Sequence, residues 1–121
     1  MAHSAEYQHL LQTIGDQTAA NKLRWMETGR DAEYVLRLAN YAVVVSINQF
    51  TEIFNPGLGV KSPVLFQLLL PEGMEFGRFE VRPDEAEYVA ARKIFDVASR
   101  TSLKKNEMLR AVEEELRKIA V

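Results

Sequence analysis

Two segments of the sequence place large apolar side chains on both faces of a β-strand. The first of them covers residues 42–48. Because successive side chains of a strand point to opposite faces of its sheet, Val43 and Val45 share one face and Val44 lies on the other. An antiparallel sheet with one face in water shows a clean alternation of apolar and polar residues instead. The segment therefore predicts a sheet that is covered on both faces.

The second segment, residues 64–70, repeats this pattern, with Phe66 and Leu68 on one face and Leu65 and Leu69 on the other. Full burial of one such side chain contributes about 1.5–3 kcal/mol, so several of them left in water would be costly and would favour aggregation. The cover can come from within the chain, with the N-terminal helix on one face and the C-terminal helices on the other. It can equally come from a second copy or another protein.

Periodicity along the rest of the chain predicts the element order α-β-β-β-β-β-α-α. The predicted helices cover about residues 4–20, 84–98 and 106–119, and the predicted strands cover residues 23–27, 34–39, 42–48, 64–70 and 75–81. Asp84 followed by Glu87 resembles a capping box that begins the second helix, and Gly77 predicts a bulge in the fifth strand. The strand connections are too short for crossovers, so we expect an antiparallel meander. The 121 residues predict one α+β domain over positions 1–121.

The last predicted helix is amphipathic. Its apolar residues follow one another at spacings of three and four, so they face one way: Leu109, Val112, Leu116 and Ile119. On the other side, Glu113 with Arg117 and Glu114 with Lys118 are spaced for ion pairs one turn apart.

Composition argues against several classes of function. With 15 Lys and Arg against 17 Asp and Glu, the chain lacks the cationic surplus of a nucleic-acid binder. The absence of cysteine excludes disulfides, thiol catalysis and Cys-ligated zinc. His3 and His9 are six residues apart, which is not the spacing of helical zinc ligands. No G-x-S-x-G nucleophile motif is present, and the glycines at 57 and 59 precede a strand instead of opening a helix.

These observations predict a protein that is not an enzyme and that uses neither a cofactor nor a metal. The sequence has no basic, apolar leader, and its strongest apolar run stops at Pro71. A bilayer-spanning helix needs about 20 apolar residues. We therefore expect a cytoplasmic location and no membrane partner.

The chain resembles a loosely defined set of small, uncharacterised bacterial domains. Their shared features are a leucine-bearing N-terminal helix, an L-x-W strand, an alternating strand that begins with an aromatic, a hairpin with a glycine turn, and a helix with an F/Y-x-x-A-x-R ending. Here these are Leu10 and Leu11, 23–25, Tyr34, Gly73, Tyr88 and 95–100. The resemblance covers nearly the whole chain. It implies the α+β fold and carries over no catalytic residue.

Our leading hypothesis is a binding or assembly protein that forms a homodimer or docks on a protein partner. It rests on the two-sided apolar strands and on the lack of a catalytic constellation. The candidate interface residues lie on the predicted second face of the sheet and on the last helix: Val44, Leu65, Leu69, Leu109, Val112 and Leu116.

The alternative hypothesis is a small-molecule or nucleotide binder. Its pocket would lie between the sheet and the loop 51–62, which is rich in turn-forming residues. Trp25, Phe54 and Leu58 would supply apolar walls. Arg24, Arg37 or Arg78 would bind an anionic group there.

Overall fold

A computed structural model describes residues 5–48, 61–102 and 105–119. The helices are α1 (Ala5–Ala19), α2 (Tyr88–Thr101) and α3 (Lys105–Ile119), and the strands are β1 (Trp25–Glu27), β2 (Glu33–Arg37), β3 (Ala42–Ile47), β4 (Val64–Leu69) and β5 (Glu75–Val81). The predicted α+β fold, with one helix, five strands and two C-terminal helices, is confirmed.

The five strands form one antiparallel meander in the order β1-β2-β3-β4-β5, as the short connections predict. Val45 pairs with Tyr34 on one side and with Phe66 on the other, so all three side chains share a face. We call this the first face of the sheet. The opposite, second face carries Val35 and Val44, which also pair directly.

The first face carries the main core, which α1 and α2 complete. Its sheet residues are Trp25, Leu36, Val43, Val45, Val64, Phe66, Leu68, Phe79 and Val81, and its buried helix residues are Leu11, Ile14, Tyr88, Ala91, Ile94, Phe95 and Ala98. The rings of Phe66 and Phe79 stack with their centroids 4.9 Å apart. Stacked aromatic pairs of this kind stabilise the fold by more than the burial of their apolar area alone.

Both α1 and α2 lie on the first face, and they pack against each other. A Cβ added to Gly15 of α1 would lie 3.7 Å from Cδ1 of Ile94, which shows how closely the two helices approach. The arrangement with the N-terminal helix on one face and both C-terminal helices on the other is therefore not adopted. Of the three helices, only α3 remains to cover the second face.

Helix α2 begins at Tyr88, three residues later than the predicted capping box requires. Glu87 precedes it in a helical conformation and makes no side-chain capping bond. Glu85 holds the preceding turns instead, because its Oε1 accepts a hydrogen bond from the backbone N–H of Arg82 at 2.9 Å. The Asp84 carboxylate lies 3.6 Å from Nε of Arg82 and forms an ion pair there.

The predicted irregularity near Gly77 is present as a shift in register between Leu68 and Leu69, which pair with Gly77 and Glu75. A Cβ at Gly77 would lie 3.2 Å from the hydroxyl oxygen of Tyr7. The ring of Tyr7 in turn stacks on Phe79, with 4.8 Å between the centroids. Glycine at this position thus lets α1 approach the edge of the sheet.

A matched pair of phenylalanine substitutions tests this assignment of the core. Phe66 is fully buried and Phe76 is 54% exposed on β5. We expect Phe66→Ala to lower the free energy of unfolding by about 3–5 kcal/mol. We expect Phe76→Ala to lower it by less than about 1.5 kcal/mol, since it loses mainly an edge contact with Tyr41. Urea unfolding measures both, and equal losses would contradict the assignment.

Candidate functional site

Helix α3 exposes an apolar stripe along its whole length. The sequence favours a helix here because it lacks Gly and Pro and contains Leu, Arg, Lys, Ala and Glu. Nη2 of Arg117 lies 2.8 Å from Oε1 of Glu113, which confirms this predicted ion pair. The stripe consists of Leu109, Val112, Leu116 and Ile119, with exposed fractions of 58%, 55%, 61% and 80%.

The first turn of α3 is tied to the second face of the sheet through Met108. From Glu107 to Ile119, Met108 is the only side chain that is not exposed. It lines a cavity of about 350 Å³ together with Val35, Val44 and Leu69. Beyond Met108, every side chain of α3 from Leu109 to Ile119 is exposed.

The second face is apolar on one side and polar on the other. On the side of β1 to β3, Val35, Ala42 and Val44 form a small buried cluster with half-buried Met26 and Leu69. Across the sheet from this cluster, Gln67 of β4 and Arg78 and Glu80 of β5 are polar, while Leu65 of β4 adds one half-buried apolar side chain to this face. Because Val35, Ala42 and Val44 are at most 8% exposed, this part of the face leaves less apolar surface to cover than the sequence pattern predicts.

The predicted interface residues fall into three groups. Val44 is only 7% exposed, so its contacts are already made within the chain. Leu65 and Leu69 are half-buried. The three on α3 are exposed: Leu109, Val112 and Leu116. Ile119 extends this set at the same spacing and was omitted from the predicted interface, although the helical period is enough to find it.

The described members of the predicted ligand pocket lie in different parts of the sheet. Trp25 is fully buried on the first face. Arg37 lies on β2 and Arg78 on β5, with two strands between them and about 14 Å between the strands that carry them. Phe54 and Leu58 lie outside the described residues. The pocket beside the loop 51–62 therefore remains a prediction.

A separate groove of about 410 Å³ lies between α1 and α2. Its lining combines apolar residues such as Leu11 and Ile94 with charged ones such as Asp16 and Lys93. Thr18 also lines it, and the Oγ1 atom of this buried residue has no hydrogen-bond partner. Sequence patterns did not indicate this groove, because it arises only when two distant helices pack side by side.

Arg78 is engaged by a carboxylate. Its Nε and Nη2 lie 3.0 and 2.9 Å from Oε1 of Glu75, and Nε2 of Gln67 donates a hydrogen bond to the same oxygen at 3.0 Å. The hydrogen bonds from Arg78 and then from Gln67 hold the pKa of Glu75 below its ordinary value. This arrangement makes Arg78 a poor anchor for an anionic ligand.

Comparisons with known proteins do not identify this chain. No family model matches it. No curated protein and no solved structure gives a significant match either. Within residues 5–48, 61–102 and 105–119, no group of three or more His, Cys, Asp or Glu side chains could hold a metal ion. None of the helices in these ranges is long and apolar enough to cross a membrane.

A pH titration tests the Glu75 network. Because the folded pKa of Glu75 is lowered, the network stabilises the fold above the unfolded pKa, and this stabilisation is lost as the pH falls through the folded pKa. We expect Arg78→Gln to raise the Glu75 pKa towards its ordinary value of 4.5, and Gln67→Ala to raise it less. Carboxyl carbon NMR measures these values. An unchanged Glu75 pKa in Arg78→Gln would rule out the network.

Proposed function

We propose that this chain is a non-enzymatic assembly protein that associates with copies of itself through the apolar stripe of α3. The observation that carries the proposal is a complete internal core next to an uncovered amphipathic helix. No described residue of α3 belongs to the main core, which α1, α2 and the first face of the sheet complete without it. The apolar residues of α3 are therefore available for another chain.

The energetics of a lone helix support the proposal. Isolated helices of about 12–15 residues are marginal in water, and most helical stability comes from packing an apolar face. α3 has 15 residues, and among its described side chains Met108 alone is partly buried. Covering each large aliphatic side chain contributes up to about 1.5–3 kcal/mol. Association would thus stabilise both the helix and the complex.

The width of the stripe indicates the kind of surface that would cover it. A helix that packs in a globular core usually shows a broad apolar face, whereas a stripe confined to spacings of three and four is the narrow seam of a coiled coil. In α3 this seam is bordered by Glu113 and Glu115, which are exposed. Another helix with the same seam matches this shape better than a broad sheet face does.

The second face of the sheet offers less apolar surface for association than the sequence pattern suggests. Val44 is already buried, and Leu65 and Leu69 are half-buried. Met108, at the start of α3, lines a cavity with side chains of this face. The sheet therefore serves as the base from which α3 projects, and the seam from Leu109 onwards supplies the contact surface.

A charge placed in the seam tests the proposal. We expect Leu116→Glu to convert the associated form to monomer, because its carboxylate would have to be buried among aliphatic side chains. Ala111→Glu puts the same group on α3 outside the seam, and we expect association to change little. Sedimentation velocity over a hundredfold range of protein concentration measures the mass of the wild type and of both variants in solution.

Circular dichroism and urea unfolding of both variants would show that the core remains intact, since neither residue contacts it. A wild-type chain that stays monomeric throughout the concentration range would overturn the proposal. So would a Leu116→Glu variant that associates as strongly as the wild type.

A further inference from the structure

We infer that the groove between α1 and α2 binds a small amine with an apolar body, whose ammonium group lies at the end of the groove that carries Asp16. This inference does not depend on the proposed association through α3. Three observations carry it: a cavity with largely apolar walls, a buried hydroxyl without a hydrogen-bond partner among the described residues, and a carboxylate at the negative end of a helix.

The groove follows two helices that lie side by side and run in the same direction. At one end, Nε2 of Gln8 donates a hydrogen bond to Oε1 of Glu87 at 3.4 Å. Seven residues farther along both helices, Gly15 lies against Ile94. The lining on α1 extends from Gln8 to Ala19, which corresponds to about 16 Å of helix. The shape of the groove therefore matches a small, elongated molecule.

Small residues leave the groove open, and large apolar residues form its floor. Gly15, Ala19 and Ala90 line it with little or no side chain. Leu11 and Ile94 are buried and line it from below. Its volume of about 410 Å³ is that of an ordinary small-molecule site, since such sites measure roughly 300–1,000 Å³ and combine mainly apolar walls with a few polar groups. The apolar body of the ligand would pack on this floor.

Thr18 supplies a polar group in the wall of the groove. It is 4% exposed, and its Oγ1 has no hydrogen-bond partner. A buried hydroxyl of this kind is unusual, because it has given up its bonds to water and has gained none within the protein. Helices accept two χ1 rotamers of threonine, so the hydroxyl can turn without a change in the backbone. An N–H group of a ligand would give Oγ1 the partner that it lacks.

Asp16 determines the sign of the charge on the ligand. It lies in the last turn of α1, which contains no basic residue. The C-terminal end of a helix carries a partial negative charge, so a carboxylate there is destabilising and a cation is stabilising. Within residues 5–48, 61–102 and 105–119, Asp16 forms no ion pair. The described lining holds a second carboxylate, Glu87, and one cation, Lys93, so its balance also favours a cation.

The two polar groups fix the orientation of the ligand. Asp16 and Thr18 both lie near the C-terminal end of α1, whereas Leu11 lies towards its N-terminal end. An ammonium group has three N–H donors, which suits a carboxylate and a hydroxyl at the same end of the groove. The ammonium group therefore lies at this end, and the apolar body extends towards Leu11.

Three probes of equal chain length test the head group: hexylamine, hexanol and hexanoate. Amide NMR of the full chain records their binding. We expect hexylamine to shift the signals of Gly15 and Ala90 with the highest affinity and hexanoate with the lowest, while Gly29 in the β1–β2 turn keeps its shift. Hexanoate that binds as tightly as hexylamine would overturn the assignment of an amine. Unchanged Gly15 and Ala90 signals with all three probes at millimolar concentration would overturn the site.

A matched pair of aspartate substitutions tests the charge. Asp31 is exposed in the turn between β1 and β2 and does not line the groove. We expect Asp16→Asn to weaken hexylamine binding about two- to fivefold, as for an exposed ion pair, and to leave hexanol binding unchanged. We expect Asp31→Asn to change neither affinity. Equal hexylamine affinities of Asp16→Asn and the wild type would overturn the role of Asp16.

Thr18→Val tests the hydroxyl at nearly constant side-chain shape. We expect it to raise the melting temperature of the free chain, because a buried hydroxyl without a partner is removed, and to weaken hexylamine binding about two- to tenfold. Thr18→Ser keeps the hydroxyl, so we expect it to bind hexylamine nearly as the wild type does. A purely structural role would change the melting temperature alone. Unchanged hexylamine affinity in Thr18→Val, or a lowered melting temperature, would overturn the role of Thr18.

Discussion

The packing of α1 and α2 on a single face of the sheet determines what the rest of the chain can do. Phe79 is stacked between Tyr7 of α1 and Phe66 of the sheet, with centroid distances of 4.8 and 4.9 Å. From the other side of the core, the hydroxyl of Tyr88 donates a hydrogen bond to the Ser62 backbone carbonyl at 2.7 Å. These contacts bring both helices onto the first face. The third helix, α3, is then the one that is not placed on the first face. The second face needs little further cover.

The second face needs little cover because Val35, Ala42 and Val44 are already buried, and Leu65 and Leu69 are half-buried. Val35 and Val44 pair directly and shield one another, and Glu75 links Arg78 and Gln67 on the neighbouring strands. Met108, in the first turn of α3, lines a cavity on this surface together with Val35 and Val44. The apolar residues farther along α3, from Leu109 to Ile119, are exposed. An exposed apolar stripe on α3 follows from this division.

The sheet could be predicted from the sequence because its signals are local. Alternation assigned Val43 and Val45 to one face and Val44 to the other, and the short connections required an antiparallel meander. The predicted start of α2 was wrong because Asp84 and Glu85 are both able to hold the turn. The structure uses Glu85, which accepts the hydrogen bond from the backbone N–H of Arg82. Such competition between adjacent carboxylates is not visible in a pattern of residue types.

The candidate site was predicted in part for a similar reason. Helical spacing is sufficient to find the stripe on α3. Burial of Val44 depends instead on which residues stand beside it across the sheet, and the placement of helices depends on how their apolar stripes fit each face. An apolar stripe does not show what covers it, so both the intramolecular and the intermolecular cover were compatible with the sequence.

Amide hydrogen exchange in α3 at several protein concentrations tests the central claim most directly, because it reports the stability of this helix alone. If copies of the chain cover the stripe, exchange from Leu109 to Ile119 slows as the concentration rises, while the amides of β3 and β4 keep their protection. Fast exchange throughout α3 at every concentration would contradict the account.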